Sequence, residues 1–137
     1  MAQVSFSNTD IIDLSRLLQE REGVEIRCNP QISGIWLHDE NWETELRLLI
    51  LADIRITVSR VCFRNRRQGT MTVVMEWLVG FCRRNKIPTI CIQSVETWEM
   101  AAFCQKHGFR PNPLASMLCN QGFVIGDYLF DVDDTTI

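Results

Sequence analysis

The sequence lacks the features that define several classes of protein. Its apolar stretches are too short to span a bilayer, and no basic segment followed by an apolar core marks a signal peptide, so no membrane association is expected. It contains only two histidines and no cysteine pair at CxxC spacing, which disfavours zinc, and we predict no metal site. The formal net charge of −3 argues against nonspecific nucleic-acid binding as the main role.

Cysteine, in contrast, is well represented. Six cysteines would permit a disulfide framework in a secreted protein. Most of them fall inside apolar runs, where a free thiol packs as a small hydrophobic group. Because no signal peptide is visible either, the pattern indicates reduced thiols in a cytoplasmic protein. The six are Cys28, Cys62, Cys82, Cys91, Cys104 and Cys119.

The length and composition are those of one globular domain. The chain has 137 residues, of which 46% are hydrophobic and 23% are charged, enough to bury a core without metal or disulfide links. No low-complexity linker, internal repeat or change of composition divides it. We therefore expect a single domain over residues 1–137, with a flexible, solvated tail at 131–137.

Three segments have the apolar periodicity of helices. The first begins with a capping-box pattern at Ser7 and ends at Gly23. The second covers 71–86 and has the clearest apolar stripe of the three. The third begins near Thr97, and Gly108 is placed to end it.

The remaining apolar segments are predicted to be strands. Residues 24–63 read as successive strands, with Asn29-Pro30 as a turn, and 89–94 read as one buried strand. The prolines in 108–113 break the pattern, and 117–132 alternates like a terminal strand or hairpin. The order α, several β, α, β, α, β predicts a mixed α/β domain.

A basic loop separates the last of the successive strands from the second helix. This arginine loop, residues 64–70, has the sequence RNRRQGT. The first N–H groups of a helix are unpaired and its dipole is positive there, so the position suits an anion such as a pyrophosphate. Gly69 lets the backbone approach a ligand, while the alternative is a solvated turn with its arginines in water. Neither a P-loop nor a Rossmann fingerprint is present.

Two motifs resemble those of the GCN5-related N-acetyltransferase (GNAT) family. Arg66-Arg67-Gln68-Gly69-Thr70-Met71 is similar to the Q/R-x-x-G-x-G/A loop with which that family binds the pyrophosphate of acetyl-CoA. The segment TWEMAAFCQKHGF at 97–109 is similar to its second signature, N-x-x-A-x-x-L-Y-x-x-x-G-F. The resemblance covers residues 55–110 well, and the rest of the chain only by the order of elements.

The resemblance implies a GNAT-like domain and an acyl-transfer reaction. The implied fold is a central, mostly antiparallel sheet with splayed central strands, flanked by helices. Acetyl-CoA would be the acyl donor, its pantetheine pairing with the strand before the loop and its pyrophosphate held by the loop amides. An amine of a small molecule or a protein would be the acceptor. The implied donor-binding residues are Ser59, Val61, Arg66, Arg67, Gln68, Gly69, Thr70, Met71 and Thr97.

The sequence departs from the family pattern at three positions. Met71 stands where Gly or Ala is usual, and Thr97 replaces an asparagine that contacts the pantetheine. Cys104 replaces the tyrosine that protonates the leaving thiolate, so it is the candidate acid, although filling space in a helix is an equally simple role. Glu96 is the candidate base, and the alternative is a carboxylate that complements the helix dipole.

Other readings stay open. A degenerate domain that binds acyl-CoA or a protein partner without turnover is the main alternative, and a nucleic-acid-binding module that uses the arginines is the weaker one. Trp36 and Trp42 are candidates for an acceptor site; His38 is expected to face solvent. A homodimer through the apolar segment 122–132 is also a possibility.

Overall fold

The polypeptide forms seven strands and three helices in a computed structural model that describes residues 4–65 and 68–132. The helices are α1 (Asn8–Glu22), α2 (Thr70–Asn85) and α3 (Trp98–Lys106). The strands are β1 (Arg27–Gln31), β2 (Gly34–His38), β3 (Glu45–Leu51), β4 (Arg55–Cys62), β5 (Thr89–Val95), β6 (Arg110–Leu118) and β7 (Val124–Asp131). Within the described ranges, no helix is both long and apolar enough to cross a membrane.

All seven strands belong to one sheet. Their order is β1-β2-β3-β4-β5-β7-β6, and every neighbouring pair is antiparallel except β4 and β5. Those two are parallel because α2 connects them as a crossover helix. The architecture is a single α/β domain with a mostly antiparallel sheet, which confirms the predicted fold class.

The predicted boundaries of α1 agree with its caps. The Ser7 hydroxyl accepts a hydrogen bond from the Asp10 N–H, and the Asp10 carboxylate accepts one from the Ser7 N–H, which is the reciprocal capping box. Gly23 ends the helix with a φ of 68°, a left-handed conformation that costs glycine little. These local signals fix both ends of α1.

Helices α1 and α2 pack side by side and run antiparallel. The Phe6 ring, just before α1, stacks on Phe81 near the end of α2, with ring centroids 4.8 Å apart. At the same end of the pair, the Arg84 guanidinium lies 3.7 Å from the Asp10 carboxylate. The carboxyl end of α1 therefore lies beside the amino end of α2.

Two predictions about proline are wrong. Asn29-Pro30 was expected to be a turn but lies within β1, and the segment 108–113 was expected to break the pattern but leads into β6, which contains Pro111 and Pro113. Both strands are at the edges of the sheet. Proline cannot donate a ladder hydrogen bond, and an edge strand has one side on which none is needed. The prolines therefore mark edges rather than turns.

The last strand continues into the predicted tail. Asp131 belongs to β7, and the buried Val132 donates its N–H to the Pro88 carbonyl oxygen at 2.8 Å. The other five residues of that tail, 133–137, lie outside the described residues.

Candidate functional site

The two parallel strands diverge in the middle of the sheet. Cα pairing between β4 and β5 runs only from Arg55 with Thr89 to Val58 with Ile92. Beyond that point β4 continues to Cys62 and β5 to Val95, but the two strands no longer pair. The divergence opens a cleft at their carboxyl ends, as predicted for splayed central strands.

Backbone irregularities on both strands accompany the divergence. On β4, Ser59 is the extra residue of a β-bulge, and its hydroxyl donates to the Arg47 carbonyl oxygen at 3.4 Å. On β5, Ser94 has a φ of 56°, and its N–H donates to the Asp127 carboxylate at 2.9 Å. Bulges bend the strands that contain them, so both strands can turn away from each other at this level.

The central cleft between the diverging strands has a volume of about 490 Å³. Its walls come from the end of β4, the loop after it, and the first turns of α2 and α3. This placement joins the two predicted motifs, which are far apart in the sequence, at one site. The lining residues are Val61, Cys62, Phe63, Asn65, Gly69, Thr70, Met71, Thr72, Thr97, Glu99, Met100 and Phe103.

The amino end of α2 faces this cleft without a side-chain cap. Gly69 is the N-cap residue, its φ is 81°, and no side chain accepts a hydrogen bond from the first turn among the described residues. Helix geometry leaves the N–H groups of Thr70, Met71 and Thr72 without intrahelical partners. Together with the positive end of the helix dipole, they make this wall of the cleft suitable for an anion.

Thr70 adds an unpaired polar group to the same turn. Its side chain is buried, with 2% of the residue exposed. Within the part of the chain that the structure describes, its Oγ1 has no hydrogen-bond partner. Since buried hydroxyl groups are nearly always paired, this hydroxyl is an exception among the described residues.

The opposite wall begins at the cap of α3. Thr97 is the N-cap residue, and its hydroxyl accepts a hydrogen bond from the Met100 N–H at 3.3 Å. The hydroxyl hydrogen stays available, so Thr97 can still donate to a group in the cleft. In the first turn of the helix, the exposed Glu99 places a carboxylate on the same wall.

The structure brings together most, but not all, of the predicted donor-binding residues. Val61, Gly69, Thr70, Met71 and Thr97 line the central cleft.

The other predicted donor-binding residues lie elsewhere. Gln68 lies in the arginine loop and lines an adjoining concavity, while Ser59 lies at the bulge. The predictions for Arg66 and Arg67 lie outside the described residues.

The two candidate catalytic residues lie away from the cleft wall. Cys104 is 0% exposed, in the core beneath α3, and burial, with a smaller contribution from Cys91, raises the pKa of its thiol to about 12. Glu96 is exposed in the turn between β5 and α3. Two other side chains of α3, Met100 and Phe103, line the cleft instead.

Several lining residues were not predicted from the sequence. Met100 and Phe103 lie three positions apart on a helix that Thr97 caps, so helical spacing was a signal that could have found them. Cys62, the last residue of β4, and Phe63, which follows it, also line the cleft, and their place depends on how far β4 runs past its last pair with β5. No local pattern contains that information.

A second, polar cleft lies on the other side of the arginine loop. Its volume is about 650 Å³, and it lies between the carboxyl end of α1 and the loop. It contains two of the chain's arginines beside one carboxylate. The lining residues are Glu20, Arg21, Arg64, Asn65 and Gln68.

The expectation that His38 faces solvent is wrong. Only 7% of the residue is exposed, and its ring stacks on Trp42 with centroids 3.6 Å apart. Its Nε2 lies 3.1 Å from the Asn29 side-chain nitrogen, and its Nδ1 lies 2.8 Å from the Asp39 carbonyl oxygen. These contacts occupy both ring nitrogens, so His38 supports the loop after β2.

The comparison with solved structures identifies the fold. No family model matches the sequence, and no curated protein matches it. Solved structures do match, and three examples show which fold the chain shares.

The first is a GNAT family acetyltransferase from Elizabethkingia anophelis with acetyl-CoA bound. Its TM-score is 0.52 at 13% identity, over 72% of this chain and 76% of that one.

The other two cover nearly the whole chain. Ard1 from Thermoplasma volcanium has a TM-score of 0.54 at 15% identity, over 93% of this chain and 81% of that one. The ribosomal-protein-S18-alanine N-acetyltransferase from Escherichia coli has a TM-score of 0.54 at 12% identity, over 96% and 94%. The chain therefore has the fold of the GNAT acetyltransferases, and the resemblance inferred from the two motifs is confirmed at that level.

Proposed function

We propose that the protein is an acetyl-CoA-dependent N-acetyltransferase that transfers the acetyl group directly to an amine. The observation that carries the proposal is the meeting, in one cleft, of the uncapped amino end of α2 and the end of β4, which pairs with β3 but not with β5. A pyrophosphate suits the first feature, and a chain of amides suits the second. A structure of the same fold, from Elizabethkingia anophelis, has acetyl-CoA bound.

The residues of the cleft have distinct roles in this proposal. The N–H groups from Gly69 to Met71, with Arg66, Arg67 and Gln68 of the same loop, would hold the pyrophosphate. Backbone groups of β4 from Ser59 to Val61 would pair with the pantetheine, and Thr97 would donate to it from the opposite wall. Met100 and Phe103 give that wall an apolar surface that excludes water.

The chemical step requires one base and one acid. Acetyl-CoA supplies a thioester, from which the acyl group passes to the amine nitrogen as the C–N bond forms and the C–S bond breaks. A base takes the proton that the amine loses, and an acid protonates the leaving thiolate. Glu96 was the predicted base, and Glu99 is the carboxylate that lines the cleft.

The assignment of the base can be tested with matched variants. Glu99→Gln and Glu96→Gln remove the same charge three positions apart on the same segment. The variant that lacks the base should lose kcat and the acidic limb of the pH–rate profile, whereas the other should keep both. Equal activity in both variants would exclude each carboxylate as the base.

Cys104 remains the proposed acid on the strength of the motif alone. Its raised pKa keeps the thiol protonated at neutral pH, as an acid must be, but its sulfur is buried in the core. Cys104→Ser keeps a proton donor of similar size, and Cys104→Ala removes it. If both variants retain full activity, Cys104 serves only packing.

A second function, an acyl-CoA-binding module without turnover, is favoured by the side chains that differ from the family pattern. Met71 is buried in the wall where a small residue is usual, and Cys104 is buried where a tyrosine is usual. Such a module would use the same cleft for the same ligand. It would differ only in the absence of transfer.

Calorimetric titration under reducing conditions tests the proposal first. Acetyl-CoA and coenzyme A should bind with micromolar affinity, and ATP, which lacks the pantetheine arm, should bind much more weakly. Release of coenzyme A with a panel of amines would then support the enzyme, and tight binding without release would support the binding module. Absence of acetyl-CoA binding would contradict both.

The predicted homodimer and cytoplasmic location also remain proposals. The dimer was expected to form through segment 122–132, which includes β7, but β7 lies between β5 and β6, so both of its edges are paired. The free edge at this end of the sheet belongs to β6, where Leu114 and Leu118 are 96% and 68% exposed. A second copy would therefore pair with β6.

A further inference from the structure

We infer that the carboxyl end of α1 is a positioning element for the arginine loop, with Arg21 and Glu22 as the residues that hold it. The inference rests on the proposed function, because that loop is the proposed pyrophosphate site. It concerns two residues outside both motifs, which are separated from the loop by four strands in the chain.

Arg21 contacts the loop at both of its ends. Its guanidinium Nη2 donates to the Gln68 carbonyl oxygen. Its backbone carbonyl oxygen accepts a hydrogen bond from the Asn65 side chain at 3.2 Å. Nη2 also lies against Gly69, since a Cβ built on that glycine would be 3.2 Å from it. The three contacts therefore reach the beginning of the loop, at Asn65, and its end, at Gln68 and Gly69.

The buried carboxylate of Glu22 holds the first part of the loop. It is 2% exposed, and its Oε1 accepts hydrogen bonds from the Thr44 hydroxyl at 2.9 Å and from the Asn65 N–H at 3.5 Å. The residue thus joins α1, the loop after β2 and the arginine loop. The other oxygen, Oε2, has no partner among the described residues, so the contacts of Oε1 with Thr44 and Asn65 are what compensate for burying the carboxylate, and they fix where the loop begins.

The antiparallel packing of α1 and α2 gives these contacts their effect on the site. The carboxyl end of α1 lies beside the amino end of α2, so any shift of α1 is transmitted to Gln68 and the N-cap Gly69. An anion site made of backbone N–H groups depends on their common orientation. Holding the loop before the ligand arrives lowers the cost of ordering it on binding.

Arg21→Ala tests the inference, and Arg16→Ala is its matched control. Both arginines are exposed on α1, and both changes remove one positive charge, but of the two only Arg21 contacts a described residue of the loop. Arg21→Ala should raise amide exchange at residues 68–72 of the protein alone, and should weaken acetyl-CoA binding, each roughly fivefold, the factor for losing one net hydrogen bond. Arg16→Ala should change neither, and Arg21→Lys should restore part of both.

The two readouts separate failure of the inference from failure of the proposed function. If exchange at 68–72 is the same in Arg21→Ala and Arg16→Ala, Arg21 does not hold the loop and the inference is overturned. If exchange rises but the two variants bind acetyl-CoA equally well, the loop contact has no positioning role, which also overturns it. If the unmodified protein does not bind acetyl-CoA, the proposed function fails, while the exchange comparison still decides whether α1 holds the loop.

Discussion

Replacing Gly69 and Gly80 by alanine, one at a time, should change stability in opposite directions. Both glycines belong to α2 or its cap, so the chemical change and the helix are the same. Gly69 has a φ of 81°, and a left-handed conformation costs an alanine about 1–2 kcal/mol. Gly80 lies inside the helix, where alanine is favoured over glycine by roughly 0.5–1 kcal/mol.

The space around each glycine decides how much these backbone effects are modified. At Gly69 the nearest described atom to a Cβ would be Nη2 of Arg21, at 3.2 Å, so the end of that side chain would have to move by a few tenths of an ångström. At Gly80 it would meet the end of the Arg84 side chain at 3.5 Å, an ordinary contact. Neither site adds a steric cost comparable with the backbone effects. The expected changes are therefore a loss of about 1 kcal/mol and a gain of about 1 kcal/mol.

Thermal unfolding measures the difference directly. One kcal/mol corresponds to about 4 °C in Tm for a domain of this size. Gly69→Ala should unfold below the unmodified protein and bind acetyl-CoA more weakly, whereas Gly80→Ala should unfold above it and bind equally well. If Gly69→Ala unfolds at or above the Tm of the unmodified protein, Gly69 does not adopt a left-handed conformation in solution, and the geometry assigned to the anion site is wrong.

Three further predictions concern buried polar groups and thiols. Thr70→Val should raise the free energy of unfolding by about 1 kcal/mol, because it removes a buried hydroxyl without a described partner, whereas Thr72→Val should change it little; a destabilised Thr70→Val protein would show that the hydroxyl is paired. Cys62 is exposed in the cleft, so iodoacetamide should label it before Cys82 or Cys104, and acetyl-CoA but not ATP should slow that labelling. Burial raises the pKa of Cys82 and Cys104 from 9.0 to about 12. Since the unfolded thiols ionise first, the free energy of unfolding should fall as pH rises from about 9, and stability that stays flat to pH 11 would contradict the burial.

Local chemistry explains which parts of the fold could be predicted. The capping box at Ser7, the left-handed cap at Gly23 and the helical spacing of α2 are properties of neighbouring residues, and the structure has them where they were expected. The strands were predicted less accurately because a proline has a different meaning at an edge than in the interior. Whether Pro30 or Pro111 lies at an edge depends on the order of strands in the sheet, which no local pattern contains.

The same distinction applies to the candidate site: local motifs predicted some of its parts, and the others depend on how distant segments pack. The arginine loop and the α3 cap could be read from short motifs, since each depends on a helix amino end and a few adjacent residues. The contribution of α1 could not, because Arg21 and Glu22 reach the loop only after four intervening strands have folded. Likewise, the burial of Cys104 depends on how α3 packs on the sheet. Helical spacing alone could not decide whether its side chain faces the core or the cleft.

The departures from the family pattern fall on side chains, whereas two of the features proposed to bind the donor belong to the backbone. Met71, Thr97 and Cys104 are the three unusual residues, but the end of β4, which is unpaired on its β5 side, and the uncapped first turn of α2 do not depend on their identity. Backbone groups can bind a pyrophosphate and a chain of amides in a sequence that no family model matches. Acid–base chemistry, in contrast, needs particular side chains. We therefore expect donor binding to tolerate these three departures better than acetyl transfer, so the Kd of acetyl-CoA should stay micromolar whereas kcat should be low.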